Sequence, residues 1–449
     1  MKPWHLIPLL LAAAGMAPAS PAPASNPITV AVDWTQSRQT IDGFGASGAF
    51  QRAAYLMALP EPARGEILDA LFSRETGAGL SIVRNIIGDG SPLPDGVPTI
   101  EPAPGQWNWT GDEAQIWLMR EAAKRGVARF VSTAWSAPAW MKDNHSVIGG
   151  SLAPDHGQDF ADYLAAYVRG YETRFGLVIY AISFANEPSN SASYSSSLWT
   201  GPQIRDFVKT HLAPTFARDG LAARIIIGED ETWSEDLAAD ALADPAAARA
   251  VNIVAAHGYL GGIRAFPRAA VAKKTIWQSE VSHNHANDPT IADGLAWART
   301  VHACLTEADA SAFLYWWFVS RRDNGGALVI LNPADPARYL LNKRLFTLGN
   351  YARFVRPGYV RLDCDANPAP GLFTSAYKEP GAGRFVFIAI NAGDAPLPLR
   401  LSARGFRIAA LTPYVTDDAR NLRREADSSP DSFVLSPRSV ATFVGKAAD

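Results

Sequence analysis

The chain has 449 residues, a formal net charge of −3, 48% hydrophobic and 19% charged residues, and 10% aromatics. That length allows roughly two or three domains, or one large barrel with an accessory domain, and the composition supplies a sizeable core. No basic stripe is present, which argues against a nucleic-acid partner.

The N-terminus reads as a signal peptide over residues 1–24. Met1–His5 carries a lysine, Leu6–Ala14 is apolar, and small residues follow, with Ala22-Pro23-Ala24 as a cleavage site and Ala17-Pro18-Ala19 competing. The mature protein is therefore expected to be secreted or periplasmic. No later apolar run reaches the roughly 18–20 residues of a membrane span. The two cysteines, Cys304 and Cys364, fall in different predicted elements. Export permits a disulfide between them, and no CxxC or Cys/His spacing marks a metal.

Ile28–Trp34 reads as a strand ahead of the main domain. From residue 42 to about 345, apolar strand-like runs alternate with helical stretches. The strands are Gly43–Ala46, Leu80–Ile86, Arg129–Ala134, Val178–Phe184, Arg224–Gly228, Asn252–His257, Thr275–Ser279 and Ala312–Trp317. Between them lie helical segments such as Glu61–Ser73, Asp112–Arg125, Asp159–Phe175, Gly201–Ala217, Glu235–Ala243 and Thr290–Glu307. Such alternation predicts an α/β fold, a (β/α)8 TIM barrel over 42–345. After Phe354-Val355-Arg356-Pro357-Gly358 the helical period disappears. Leu372–Tyr377, Arg384–Ile390, Leu397–Ser402, Arg407–Tyr414, Ser432–Leu435 and Val440–Val444 are short strands broken by turn residues. They predict a small antiparallel β-sandwich side domain, residues 346–449 with 25–41 added.

The most informative feature is a pair of glutamates that end apolar strands. Ile179–Ala185 runs into Asn186-Glu187-Pro188, and Lys274–Ser279 runs into Glu280. In a (β/α)8 barrel the site forms at the C-terminal ends of the strands. Glu187 falls at the end of the fourth barrel strand and Glu280 at the end of the seventh, on opposite sides of the mouth. A lone carboxylate at a strand end is most often solvated or ion-paired. Two in these positions are the raw material of glycoside hydrolysis, one as acid/base and one as nucleophile.

Other motifs carry plainer readings. Gly43-Phe44-Gly45-Ala46-Ser47-Gly48 satisfies GxGxxG, but the second strand ends in Ile82-Val83-Arg84-Asn85 with no acidic residue, so tight packing explains the glycines better than a dinucleotide. His283-Asn284-His285 lacks a nearby third ligand for a metal. Glu229-Asp230-Glu231 follows the fifth strand and is a rival source of carboxylate, read as lining a subsite or solvated. Trp135, Trp140, Trp316 and Trp317 sit at the ends of the third and eighth strands. Because neighbours on a strand face opposite ways, one of Trp316 and Trp317 is expected to line the cleft and the other to pack outward.

Taken together, these segments resemble glycoside hydrolase family 30. The resemblance rests on Ile41-Asp42-Gly43-Phe44-Gly45, Ala134-Trp135-Ser136-Ala137-Pro138-Ala139-Trp140-Met141-Lys142, Ala185-Asn186-Glu187-Pro188, Ser279-Glu280 and Phe354–Tyr359, and spans about residues 28–445. It implies a retaining β-glycosidase with Glu187 as acid/base and Glu280 as nucleophile, with no cofactor and no metal. Asn186 would bond the sugar 2-hydroxyl and Arg84 would hold the nucleophile ionised. His257 and Tyr259 would contact Glu280 or the substrate, and Trp135 and Trp316 would line the cleft. Tyr315-Trp316-Trp317-Phe318 and Arg356–Arg361 look like the glucuronoxylanase branch, in which an arginine after the eighth strand grips the glucuronate; Arg321 is assigned that role, although Ser320 shifts it by one position. The Trp135–Lys142 segment and Gly149-Gly150-Ser151-Leu152 look more like the β-1,6-glucanase and β-1,6-galactanase branches. The expected partner is thus a β-glycan bound by a monomer, glucuronoxylan first and a β-1,6-glycan as alternative. A non-catalytic carbohydrate-binding protein is the remote reading.

Overall fold

A computed structural model of the chain describes residues 26–448; the expected signal peptide lies outside these residues. The first strand, β1 (Ile28–Thr40), precedes eight parallel strands: β2 (Gly43–Ser47), β3 (Ile82–Ile87), β4 (Arg129–Ala134), β5 (Ile179–Ser183), β6 (Arg224–Thr232), β7 (Val251–Leu260), β8 (Thr275–Val281) and β9 (Ala312–Ser320). Each pairs with the next, and β9 pairs back onto β2, which closes a TIM barrel. The strands are rich in β-branched residues such as Ile82-Val83 and Ile225-Ile226-Ile227, and most of their residues are buried. That is the pattern of a parallel sheet covered on both faces. Ile82, Val131, Ala181, Ile226, Ile253, Trp277, Ala312 and Leu314 fill the barrel interior.

Local signals place the helices around it. The helix Gly157–Phe175 stops at Gly176, whose φ of 69° is left-handed and cheap only for glycine. Thr200 and Gln203 form a reciprocal capping box on Gly201–Phe207. Asp112 stands at the N-cap of Glu113–Lys124 but caps nothing; its carboxylate instead receives Gln115 Nε2 at 2.6 Å and the Tyr171 hydroxyl.

Two short strands, β10 (Ala327–Leu331) and β11 (Tyr339–Leu341), extend the sheet outward from β9. The helix Lys343–Ala352 follows. It spans the position at 345/346 where the sequence divides the domains, and residues 344–352 are all buried. One side faces β2 and the helix Ile291–Thr306; the other faces the second sheet.

That second sheet contains β1, β12 (Val360–Cys364), β13 (Leu372–Lys378), β14 (Arg384–Asn391), β15 (Leu397–Arg404), β16 (Arg407–Thr416), β17 (Arg423–Arg424), β18 (Phe433–Leu435) and β19 (Ser439–Ala448). Its order is β17-β16-β19-β14-β13-β12-β1-β15-β18. The sheet is thus continuous and folds over itself. Phe433 on one edge strand and Phe443 on β19 meet with ring centroids 4.7 Å apart. All pairings are antiparallel except β1 with β15. Cys304 is buried in the helix Ile291–Thr306, Cys364 is half-buried on β12, and both are free.

Candidate active site

Glu187 leaves the end of β5 in a left-handed conformation, φ 45°. Its N–H donates to the carbonyl of Glu229 at 2.9 Å, and the Asn186 N–H donates to Ala134 at 3.1 Å. Those two backbone bonds tie the segment to the strands on either side. Glu280 lies within β8. Glu187 and Glu280 are 7% and 4% exposed, at the floor of one cleft of about 590 Å³.

Arg84 on β3 is buried beneath both. Its Nη1 donates to Glu280 Oε2, Nη2 to Asn186 Oδ1 at 2.9 Å and to Glu229 Oε1 at 3.4 Å, and Nε to Thr133 Oγ1 at 3.2 Å. The Trp135 ring stacks 4.5 Å from the same guanidinium. His257 on β7 stands between the glutamates, its Nδ1 3.0 Å from Glu187 Oε1 and its Nε2 3.9 Å from Glu280 Oε2. The Tyr259 hydroxyl donates to Glu280 Oε1 at 2.8 Å. Asn190 Nδ2 and the Tyr194 hydroxyl each reach Glu187 Oε2 at 3.2 Å.

Several expected residues therefore converge: Glu187, Glu280, Asn186, Arg84, His257 and Tyr259 form one bonded network. Trp135 and Trp316 line the cleft. Trp317 lines it too, against the expectation that only one of the tryptophan pair would. Along β9, Gly45 of β2 pairs with Leu314 and Ser47 with Trp317, so one residue, Ala46, opposes two, Tyr315 and Trp316. The bulge breaks the alternation, and the two indoles stack with centroids 4.7 Å apart. Arg321 is not part of the cleft lining. Its guanidinium lies 4.2 Å above the Tyr55 ring, and Arg322 lines the cleft instead. The Ser320 hydroxyl accepts the Arg322 N–H at 2.9 Å and turns the chain there. Trp140 also turns away, its indole N–H bonded to the Glu101 carbonyl at 2.9 Å.

Sequence reasoning missed Phe50, Arg52, Asp95, Asn190, Tyr194 and Ser282, which also line the cleft. Arg52 opens the short helix Arg52–Met57, and the others come from loops without periodicity. Asn190 and Tyr194 sit in a serine-rich stretch whose only signal was its place after Glu187. Lys142, in the motif Trp140-Met141-Lys142, is buried and holds that stretch in place. Its Nζ donates to Ser136 Oγ and to the carbonyls of Gly149 and Ser196 at 2.7–3.1 Å.

Among the described residues, Glu187, His257 and Glu280 are the group whose ligand atoms gather as a cation site would require, within 4.8 Å of one another. Arg84 already sets a positive charge against Glu280, and a dication would have to oppose it. The donor set suits proton transfer better than metal binding. His283, expected to be no metal ligand, bonds Asp293 at 3.1 Å.

Burial pushes Glu187 up, but the hydrogen bond and charge of His257, with the Asn190 and Tyr194 donors, more than offset it and hold the carboxyl below the usual glutamate range. Burial raises Glu280 and outweighs the charges of His257 and Arg84. Burial alone would lower His257; Glu280 and Glu187 reverse this and raise it. Relative to the free side chains, these directions favour the protonated form of Glu280 and His257 and disfavour that of Glu187. The three groups are coupled, however, and exchange protons as one unit.

The model of glycosyl hydrolase family 59 matches residues 41–327. The glucuronoxylanase XynC of Bacillus subtilis is 25% identical over 352 residues, 74% of this chain and 77% of that protein. The catalytic domain of GH30 xylanase C from Talaromyces cellulolyticus superposes with a TM-score of 0.82 at 29% identity, covering 93% of this chain and all of that one. The endo-β1,6-glucanase BT3312 shares the fold, with a TM-score of 0.78 and 21% identity over 95% of this chain and 96% of that chain.

Proposed function

We propose, from the premise that the chain belongs to glycosyl hydrolase family 59, that this glycosidase cleaves a β-linked glycan with retention of configuration. The observation that carries the proposal is the approach of the two carboxyl groups: an oxygen of Glu187 and one of Glu280 lie within 4.8 Å. Retaining enzymes hold their carboxyls about 5–5.5 Å apart, whereas inverting enzymes leave room for a water at roughly 6.5–9.5 Å.

In this reading Glu280 attacks the anomeric carbon while Glu187 protonates the departing oxygen. Water, deprotonated by Glu187, then cleaves the glycosyl-enzyme ester and leaves Glu187 protonated again. Attack requires Glu280 ionised, and its two donors, Arg84 and Tyr259, favour that form. Glu187 must hold a proton. His257 Nδ1, 3.0 Å away, can supply it; a sugar that displaces the remaining water favours the neutral carboxyl. The Asn186 side chain, oriented by Arg84 at 2.9 Å, keeps its amide N–H groups for the sugar 2-hydroxyl.

For the substrate we favour glucuronoxylan. Arg52 and Arg322 both line the cleft, with Asp95 3.8 Å from Arg52, and a guanidinium pair suits a uronate carboxylate. Trp316 and Trp317 line the cleft and give a xylan chain an apolar wall to lie against. The apolar run Leu6–Ala14, behind Lys2, supports export. No described helix is long and apolar enough to cross a membrane.

The test is hydrolysis of glucuronoxylan, unsubstituted xylan, β-1,6-galactan and β-1,6-glucan, with product anomers followed by NMR. Glucuronoxylan should be cleaved fastest, to the β-anomer first. Preference for a β-1,6-glycan would overturn the substrate, and initial α-anomer would overturn retention. Glu187→Gln and Glu280→Gln should each lose at least about 10³-fold in kcat, the scale of removing a group that acts in the transition state. Near-wild-type turnover in either would sink the assignment, and binding without product in the wild type would favour a carbohydrate-binding role.

A further inference from the structure

A third carboxylate lies under the site. Glu229 is fully buried. Its Oε1 lies 3.4 Å from Arg84 Nη2, its Oε2 accepts the Thr133 hydroxyl at 3.1 Å, and its carbonyl accepts the Glu187 N–H at 2.9 Å. The backbone is bent to put it there. On β6, Gly228 pairs with Ala255 and Asp230 with Ala256, so Glu229 is the extra residue of a bulge, with φ 50°. A bulge beside an active site re-aims a side chain. A non-glycine residue in the left-handed region is a cost kept where the surroundings fix it. Asp230 and Glu231, its sequence neighbours, point elsewhere: Asp230 accepts Ser189, and Glu231 lines the cleft.

We propose that Glu229 is a positioning residue that shares Arg84 with the nucleophile, and that its negative charge sets the pH window in which Glu280 is ionised and Glu187 protonated. The inference rests on the roles given above to Glu280 and Glu187. Without Glu229, Glu280 would be the one carboxylate bonded to Arg84 and the pocket would carry one negative charge fewer. Burial would lower the Arg84 pKa, yet the charge of Glu229, with the charge and hydrogen bond of Glu280, raises it. The other charged or titratable groups facing this space are Arg84 from β3, Glu187 and Tyr194 from the loop after β5, Glu231 from β6, His257 and Tyr259 from β7, and Glu280 from β8. Arg84, and His257 when protonated, are the cations among them, so the loss of one anion is felt by both reacting carboxyls.

The sign follows. Removing a negative charge makes both carboxyls easier to ionise. The acid limb of kcat/KM, where Glu280 must be ionised, moves to lower pH, and so does the alkaline limb, where Glu187 must be protonated. Glu229→Gln keeps an acceptor for Arg84 and a group for Thr133, so it isolates the charge. On the polymer of the panel that the wild type cleaves fastest, both limbs should move acid by about one pH unit. Glu229→Asp, which keeps the charge, should leave both limbs where the wild type has them and lower only the rate. Lower activity in Glu229→Gln with unmoved limbs would overturn the proposal. So would an acid shift in Glu229→Asp, which remains decisive if the glutamine variant fails to fold. Full activity in Glu280→Gln would instead remove the reading on which it rests.

Discussion

At the scale of single residues, Arg84 decides more than any other side chain outside the glutamate pair. One guanidinium reaches Glu280, Asn186, Glu229 and Thr133 at once. Only a planar fork with several fixed N–H groups can do this; an ammonium on a flexible stem cannot. Arg84→Lys keeps the charge and loses the geometry. The variant should fold, and kcat/KM should fall about 100-fold or more, the scale of leaving a buried carboxylate unpaired. Circular dichroism and initial rates check both halves; a loss below tenfold would show that charge alone matters. Much of this residue scale was legible in the sequence. Glu187, Glu280 and Asn186 each stand where an apolar run ends. The resemblance paired Arg84 with Glu280, but its contacts with Glu229 and Thr133 were not legible, because these come from β6 and β4 and no local pattern pairs them.

At the scale of elements, the mouth of the barrel is shaped by small departures from regularity. The bulge in β9 turns both tryptophans to the cleft, and the bulge in β6 turns Glu229 inward. A two-residue period read from sequence assumes unbroken ladders, so neither was foreseen. The glycines of β2 were foreseen. A Cβ on Gly45 would lie 2.2 Å from the Ile82 carbonyl, and one on Gly43 2.4 Å from Ser81 Oγ. Gly45→Ala should wedge β2 from β3 and destabilise the fold by about 1–3 kcal/mol, as overpacking does. A denaturant midpoint equal to wild type would contradict this. Since β2 continues to Ser47 near the cleft, activity should fall together with stability.

At the scale of the molecule, the barrel and the folded sheet share an apolar seam. The helices Ile291–Thr306 and Lys343–Ala352 face β13, β16 and β19 across it. Asn350 reaches Thr442 at 3.1 Å and the Tyr414 carbonyl at 3.0 Å. His302 lies in this seam beside Phe373, with ring centroids 5.6 Å apart and neither ring nitrogen bonded. Burial, then the charge of Arg361, lowers its pKa from 6.5 to about 4. The unfolded chain therefore takes up a proton near pH 6.5 that the folded chain refuses until about pH 4. Stability contributed by the neutral histidine is full above pH 6.5 and is lost as pH falls, by on the order of 2–3 kcal/mol. His302→Leu should lose less melting temperature than wild type between pH 7 and 4. Parallel losses in the two proteins would refute the assignment.

The sequence by itself determined the alternation of strands and helices, the change to short strands after residue 358, and the two glutamates that face each other across the barrel mouth. These follow from local period and from the rule that strand ends of a barrel point to one face. The tertiary structure alone decided which of Arg321 and Arg322 reaches the cleft, that both Trp316 and Trp317 do, and that Glu229 lies beneath Arg84. Each depends on a turn, a bulge or a partner on another strand. A run of residues read in isolation carries no information about the register of its neighbours.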